Sequence, residues 1–180
     1  MEHPPETLAN EPVLLRRWQP GEAELLDRIV VESLDHLLPW MPWAAVHTRQ
    51  TAQDFLDRAQ DDWASGAAYN YAITVGGGEP VGACSLMRRI GPGGMEIGYW
   101  IHPGWTGRGL VTRSAAALVA AAFALPGVTH LEVHHDEANR ASGAVPRRLG
   151  FTVVSRRRDP ARSSTPGESG VDLVQRLDRA

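Results

Sequence analysis

The chain has 180 residues, 43% of them hydrophobic, enough for one α/β domain with a sizeable core. Its net charge of −3 gives no bulk attraction for nucleic acid, and no run of 18 apolar residues offers a membrane span. One cysteine, Cys84 in the apolar stretch PVGACSL, excludes an internal disulfide or a cysteine-built zinc site and reads as buried core. With no signal-peptide pattern, a soluble cytoplasmic protein is expected. The charge is unevenly placed, −6 over residues 1–90 and +3 over residues 91–180.

Residues 1–11, polar and proline-bearing, are expected to form a loose tail ahead of a single domain over 12–180. Residues 13–18 read as a first strand, closed by Pro20 and Gly21. Leu25, Leu26, Ile29, Val30, Leu34, Leu37 and Leu38 then recur at helical spacing, with Glu22 and Glu24 at the N-terminal end that favours acids. That helix must stop at Leu38, because the residue before Pro39 is driven out of the α region. The PWMPWA segment that follows is stiff and aromatic, so Trp40 and Trp43 either seal the core or wall an acceptor pocket. Thr51 with Asp54 has the pattern of a capping box for the next helix, which Gly66 is placed to end. Residues 69–75 and 80–88 alternate as strands around the turn Gly76-Gly77-Gly78.

Residues 96–101 have the β-branched and aromatic character of a central strand. Pro103 ends it, Gly104, Gly107 and Gly109 open a side-chain-poor turn, and the alanine-rich run 110–123 predicts a helix. A strand, a glycine turn and a helix N-terminus together make an anion site, since the first N–H groups are unpaired and glycines let a phosphate approach. Arg108 and Arg113 add charge there. A Rossmann fingerprint would need a glycine at Thr112, and a P-loop needs a lysine this chain lacks, so a pyrophosphate cradle of another kind remains. Further on, residues 128–134 and 151–156 read as strands around a helix capped by Asn139 and ended by Gly150. A polar loop over 159–170 precedes a last strand, 171–177. His134 and His135 beside Asp136 and Glu137 do not predict a metal site, because neighbours on a strand point to opposite faces.

The glycine turn resembles the Gln/Arg-x-x-Gly-x-Gly/Ala turn of the GNAT acyl-CoA N-acyltransferase superfamily, with Gly104 in place of the first Gln or Arg. The stretch LEVHHDEANRASGAVPRRLGF, residues 131–151, carries Asn139-x-x-Ser142 and Leu149-Gly150-Phe151. With SLDHLLPWMPW and GYWIHP it is similar to the RimJ/RimL-like branch, the ribosomal-protein N-terminal acetyltransferases and their relatives. The resemblance spans roughly residues 12–177. It implies an α/β GNAT fold: a single mixed, mostly antiparallel twisted sheet of about seven strands with helices on both faces.

The resemblance also implies an acyl-CoA-dependent N-acetyltransferase with acetyl-CoA as co-substrate, no metal, and a primary amine as acceptor, either a protein N-terminal α-amine or a small amine. Neither nucleic acid nor membrane is an expected partner, and monomer and homodimer both stay open. Acyl-CoA would lie against Trp100, Ile101, His102, Thr106, Gly107, Arg108, Gly109, Leu110, Val111 and Thr112. Asn139 would bond the pantetheine arm, and Ser142 would give its proton to the departing thiolate. Backbone N–H groups around residues 99–101 could polarise the thioester carbonyl. Trp40, Trp43 and Tyr99 are the candidates for the acceptor side. Glu132 matches the base-bearing glutamate of a related N-terminal acetyltransferase group, and Glu96 is the second candidate base. The tyrosine that some members use as the acid is replaced by Pro146, and the acid of the branch after its Gly-Phe strand aligns to Ala161, with Asp159 nearby. Two competing readings stand beside this one. One is transfer of a larger acyl group such as succinyl, through Arg88, Arg89 or the arginines of 156–158; the other is a CoA-binding sensor that has lost its base.

Overall fold

The computed structural model describes residues 2–158 and 165–180. The chain enters as a hairpin in which β1 (Thr7–Asn10) pairs antiparallel with β2 (Val13–Arg17). The stretch expected as a loose tail is therefore an edge strand, and cross-links explain why. Tyr71 Oη donates to Pro5 O at 2.8 Å, and Asn10 Nδ2 donates to Arg113 O at 3.0 Å. The apolar run predicted as one helix over 22–38 is divided into α1 (Ala23–Val31) and a single turn, α2 (Leu34–Leu37). At the break, Ser33 Oγ donates back to Ile29 O at 2.6 Å, a local bond that competes with the helical ladder.

The next helix, α3 (Arg49–Ser65), starts earlier than Thr51 and Asp54 suggest. Thr48 is its N-cap and Thr51 its reciprocal partner, each side-chain oxygen accepting the other's backbone N–H, while Asp54 accepts instead from Gln50. Gly66 ends it in the left-handed region, as predicted. There follow β3 (Ala68–Val75), β4 (Pro80–Met87), β5 (Gly94–Ile101), α4 (Leu110–Ala124), β6 (His130–Asp136), α5 (Arg140–Arg148), β7 (Thr152–Arg158) and β8 (Val171–Asp178).

The eight strands lie in the order β1-β2-β3-β4-β5-β6-β8-β7, and every neighbouring pair is antiparallel except β5–β6. Adjacent residues of β3 show that both faces are covered, since side chains alternate along a strand. Ile73 packs in one apolar cluster with Leu118 and Ala122 of α4, while Ala72 packs in another with Leu26 and Ile29 of α1 and Leu56 of α3. Cys84 is buried in the first cluster, and burial pushes its thiol far above the ordinary range, which makes it an inert core residue. No helix among the described residues is long and apolar enough to cross a membrane.

The parallel pair β5–β6 positions the site. Its register covers Gly94–His130, Met95–Leu131 and Glu96–Glu132, yet the strands run on to Ile101 and Asp136. Beyond Glu96, β5 keeps its bonds to β4 but leaves β6.

Candidate active site

A cleft of about 860 Å³ lies at this open end of β5. Its walls are the end of β5, the turn into α4, one side of α5, and residues between His36 and Met41. The turn is built on two left-handed residues, Gly107 at φ 73° and Gly109 at φ 71°. A Cβ at either position would meet nothing within 4 Å, so backbone conformation and not crowding demands glycine there. Gly109 is the N-cap of α4, and no side chain caps that helix. Leu110, Val111 and Thr112 line the cleft, so the first-turn N–H groups and the positive end of the dipole are in place for an anion. This fits the pyrophosphate of a CoA ester better than it fits a neutral ligand.

Two arginines add charge, and each is anchored. The Arg108 guanidinium lies 4.7 Å over the Trp105 ring and donates to Gly104 O at 3.1 Å. Arg113 lines the cleft and donates to Glu11 O at 2.9 Å, so the β1–β2 turn holds its charge in place. Thr106 lines the cleft and closes its own turn by donating to Pro103 O at 2.9 Å. Trp100 and Ile101 are in the lining too. His102 is not; its Nδ1 accepts from Gly104 N at 3.1 Å, and its Nε2 lies 3.5 Å from Glu32.

On the facing wall, Asn139 caps α5 by accepting from Ser142 N at 3.1 Å, as the sequence predicts. Ser142 meets Tyr99 across the cleft. Tyr99 Oη donates to Ser142 O at 2.8 Å, and Ser142 Oγ donates to Tyr99 Oη at 3.4 Å. Burial pushes the Tyr99 hydroxyl up to about 12 against the opposing pull of its bond to Ser142, so it stays protonated at neutral pH.

The two candidate bases lie elsewhere. Glu96 and Glu132 are register partners on parallel strands, so they share one face of the sheet, and both are buried. Neither is in the cleft lining. Glu132 Oε1 accepts from Arg176 Nε at 3.0 Å and Nη2 at 2.5 Å, and its Oε2 is 2.7 Å from His134 Nε2. Burial alone would raise its pKa, but the bonds from His134 and Arg176 win and hold it below the usual carboxylate range. Glu96 is held by Arg89 at 2.5 and 2.7 Å. The neighbouring histidines do separate: His134 meets Glu132, whereas His135 sits buried between Asp136 O and Gln175. No metal-competent cluster occurs among the described residues.

Of the aromatic segment, Trp40 lines the cleft with Leu37 and Met41, and Trp43 does not. Trp43 is 40% exposed, and its ring lies 6.1 Å between centroids from that of the lining residue Trp100. Pro39 O accepts from Thr165 Oγ1 at 2.7 Å and from Gly167 N at 3.1 Å, which ties this segment to the far end of the chain. Sequence reasoning missed Trp105, Leu37, Met41 and Arg148 in the lining. Trp105, between two glycines of the turn, was the one with a local signal. Asp159 and Ala161 lie outside the described residues.

The model of the acetyltransferase (GNAT) domain family matches residues 13–152. Bacillus subtilis (strain 168) YdaF, named "Putative ribosomal N-acetyltransferase", is 27% identical over 155 residues, 83% of each chain. Among solved structures, the ribosomal L7/L12 alpha-N-protein acetyltransferase RimL in complex with coenzyme A superposes with a TM-score of 0.87 at 20% identity, covering 96% of this chain and 98% of that one. Mycobacterium smegmatis RimJ in complex with CoA-disulfide gives 0.85 at 22% identity, covering 98% and 90%. The microcin C7 self-immunity acetyltransferase MccE, in complex with acetyl-CoA and AMP, gives 0.85 at 19% identity and 94% of both chains. With a family model matched over most of its length and the anion cradle at the start of α4, this chain belongs to the GNAT acetyltransferase family, acyl-CoA-dependent N-acetyltransferases that use acetyl-CoA as co-substrate.

Proposed function

We propose that the chain acetylates a primary amine by direct attack in a ternary complex, with the N-terminal α-amine of a protein as its acceptor class. The observation that carries this reading is continuity. One cleft runs from the Gly107–Gly109 turn, past Ser142 and Tyr99, to Trp40, so a donor and an acceptor can meet in a single space. The relatives named as ribosomal N-acetyltransferases support the protein-amine choice.

The residues divide the work. The turn and the first turn of α4 hold the pyrophosphate, and the cap residue Asn139 faces the pantetheine arm. The β6 side of residues 97–101 lies beyond the parallel register, which leaves backbone N–H groups there to polarise the thioester carbonyl. An α-amine has a pKa near ~8, so roughly a tenth of it is neutral at pH 7. Its nitrogen bonds to the carbonyl carbon as the carbon–sulfur bond breaks, with the electron pair passing to sulfur. Ser142 Oγ gives its proton to the thiolate, and the proton released by nitrogen passes to water and restores the serine. Glu132, ion-paired and outside the lining, does not contact the amine; its charge stabilises that proton in passage through water without keeping it.

Acetyl-CoA should be consumed with a panel of peptides that have free N-termini and spared by the same peptides with blocked ones. Turnover of small amines alone would overturn the protein-amine assignment. Tight CoA binding with no turnover of any amine would make the chain a sensor. In calorimetry, most of the affinity for CoA should lie in its nucleotide half, and equal affinity for pantetheine would remove the cradle assignment.

A further inference from the structure

We infer that Tyr99 is a positioning residue for Ser142, and that Pro146 makes it one. The inference rests on the proton-donor role proposed for Ser142. In an α-helix the carbonyl of residue i accepts from the N–H of residue i+4. Ser142 lies in the first turn of α5, and the residue in its i+4 position is Pro146, inside the helix. Proline has no N–H, and its ring crowds the carbonyl four residues back. Ser142 O is thus denied its helical donor in a half-buried site, where an unmet carbonyl is costly. A hydroxyl from another element supplies the bond, because Tyr99 Oη reaches from β5 and donates to Ser142 O at 2.8 Å.

A phenol has a single proton. With that proton given to Ser142 O, the Tyr99 oxygen is left as an acceptor, and Ser142 Oγ donates to it from 3.4 Å. The serine N–H is held meanwhile by Asn139 Oδ1. The backbone N–H and carbonyl of Ser142 are therefore fixed, from its own cap on one side and from β5 on the other, and its hydroxyl has a partner. The next residue strengthens the clamp. Gly143 O accepts from Gln175 Nε2 at 3.1 Å, and a Cβ on Gly143 would stand 2.5 Å from His135 Cε1. The helix turn carrying Ser142 is thus pinned to β5 by Tyr99 and to β8 by Gln175. The 3.4 Å bond is the weakest of the set, so the serine hydroxyl is oriented yet free to turn toward a developing thiolate. In sequence, Pro146 reads as the loss of a tyrosine; in the structure it frees an acceptor that a different tyrosine fills.

Steady-state kinetics of Tyr99→Phe, Ser142→Ala, Pro146→Ala and their pairings test this. Tyr99→Phe should lower kcat about tenfold with the acetyl-CoA KM within about twofold, the signature of an interaction felt in the transition state. On a Ser142→Ala background the same change should cost less than about twofold, since the hydroxyl it orients is gone. On a Pro146→Ala background, where a backbone N–H again holds Ser142 O, its cost should fall to about threefold or less. A full kcat in Tyr99→Phe overturns the inference, and so does an undiminished Tyr99→Phe penalty on either background. A full kcat in Ser142→Ala is a different failure, because it removes the donor role beneath the inference and leaves acetyl transfer itself standing.

Discussion

At the scale of single residues, the site depends on positions where one atom decides the outcome. Ser142 is the sharpest case. If its proton is used only as sulfur departs, Ser142→Ala should lower kcat by roughly 10²-fold while the acetyl-CoA KM stays nearly unchanged. A loss below about threefold would return Ser142 to being an ordinary first-turn residue behind the Asn139 cap. Gly107 makes the complementary point about binding. Its φ of 73° suits glycine, and the space beyond its Cα is open, so Gly107→Ala tests conformation alone while Gly107→Glu adds charge and bulk. CoA affinity measured by calorimetry should fall in the order wild type, Gly107→Ala, Gly107→Glu. A Gly107→Glu protein that binds CoA as tightly as wild type would place the phosphates elsewhere.

At the scale of elements, local chemistry explains which boundaries were readable. The Asn139 cap, the Gly66 stop, the glycine turn and the last seven strands follow from residues acting on their own neighbours. The strand of residues 7–10 was not readable, because the groups that hold this region, Tyr71 and Arg113, are remote in sequence. The start of α3 was misplaced for a smaller reason: Thr51 is the N3 partner of a Thr–Thr box opened by Thr48, one turn earlier than the Thr51–Asp54 pattern places the N-cap. The end of β6 shows an element joined to a distant loop. Asp136 Oδ1 accepts from Ala138 N and from both N and Oγ of Ser169, and its Oδ2 accepts from Gly170 N. Burial alone would raise its pKa, yet these donors outweigh it and hold the carboxyl below its ordinary value. A folded pKa below the unfolded one contributes stability that is present above about 4, the unfolded value, and is lost as pH falls through the folded value. Glu132 follows the same sign. The urea midpoint should therefore drop between pH 6 and pH 3, and Asp136→Asn should start lower and lose less over that window. An Asp136→Asn protein with the wild-type pH slope would assign the acid sensitivity to other carboxylates.

At the scale of the whole molecule, the sheet's split end explains why catalytic residues were harder to read than the fold. Family motifs pointed to the glycine turn and Ser142, which line one cleft, but whether a carboxylate faces that cleft depends on strand parity and on partners far away, and Arg176 claims Glu132 from β8. The acceptor side combines distant pieces in the same way. Trp40 lines the cleft on a segment whose Pro39 carbonyl is held by Thr165 and Gly167, and the half of the chain that carries it is acidic by six charges. An amine approaches as a cation, so the acidic half should serve encounter and the Trp40 ring should serve stacking, while deprotonation stays a separate step. Trp40→Ala should then raise the acceptor KM several-fold and leave CoA affinity within about twofold. Salt raised above about 0.1 M should lower kcat/KM for a cationic acceptor, since exposed charges are screened beyond roughly 10 Å there, and should spare an acceptor of neutral overall charge. Trp40 is half-buried and Trp43 is the more exposed, so the competing role for Trp40 is core packing. A Trp40→Ala protein that melts at a lower temperature but keeps the wild-type acceptor KM in its folded fraction would establish that role and move the acceptor to another wall of the cleft.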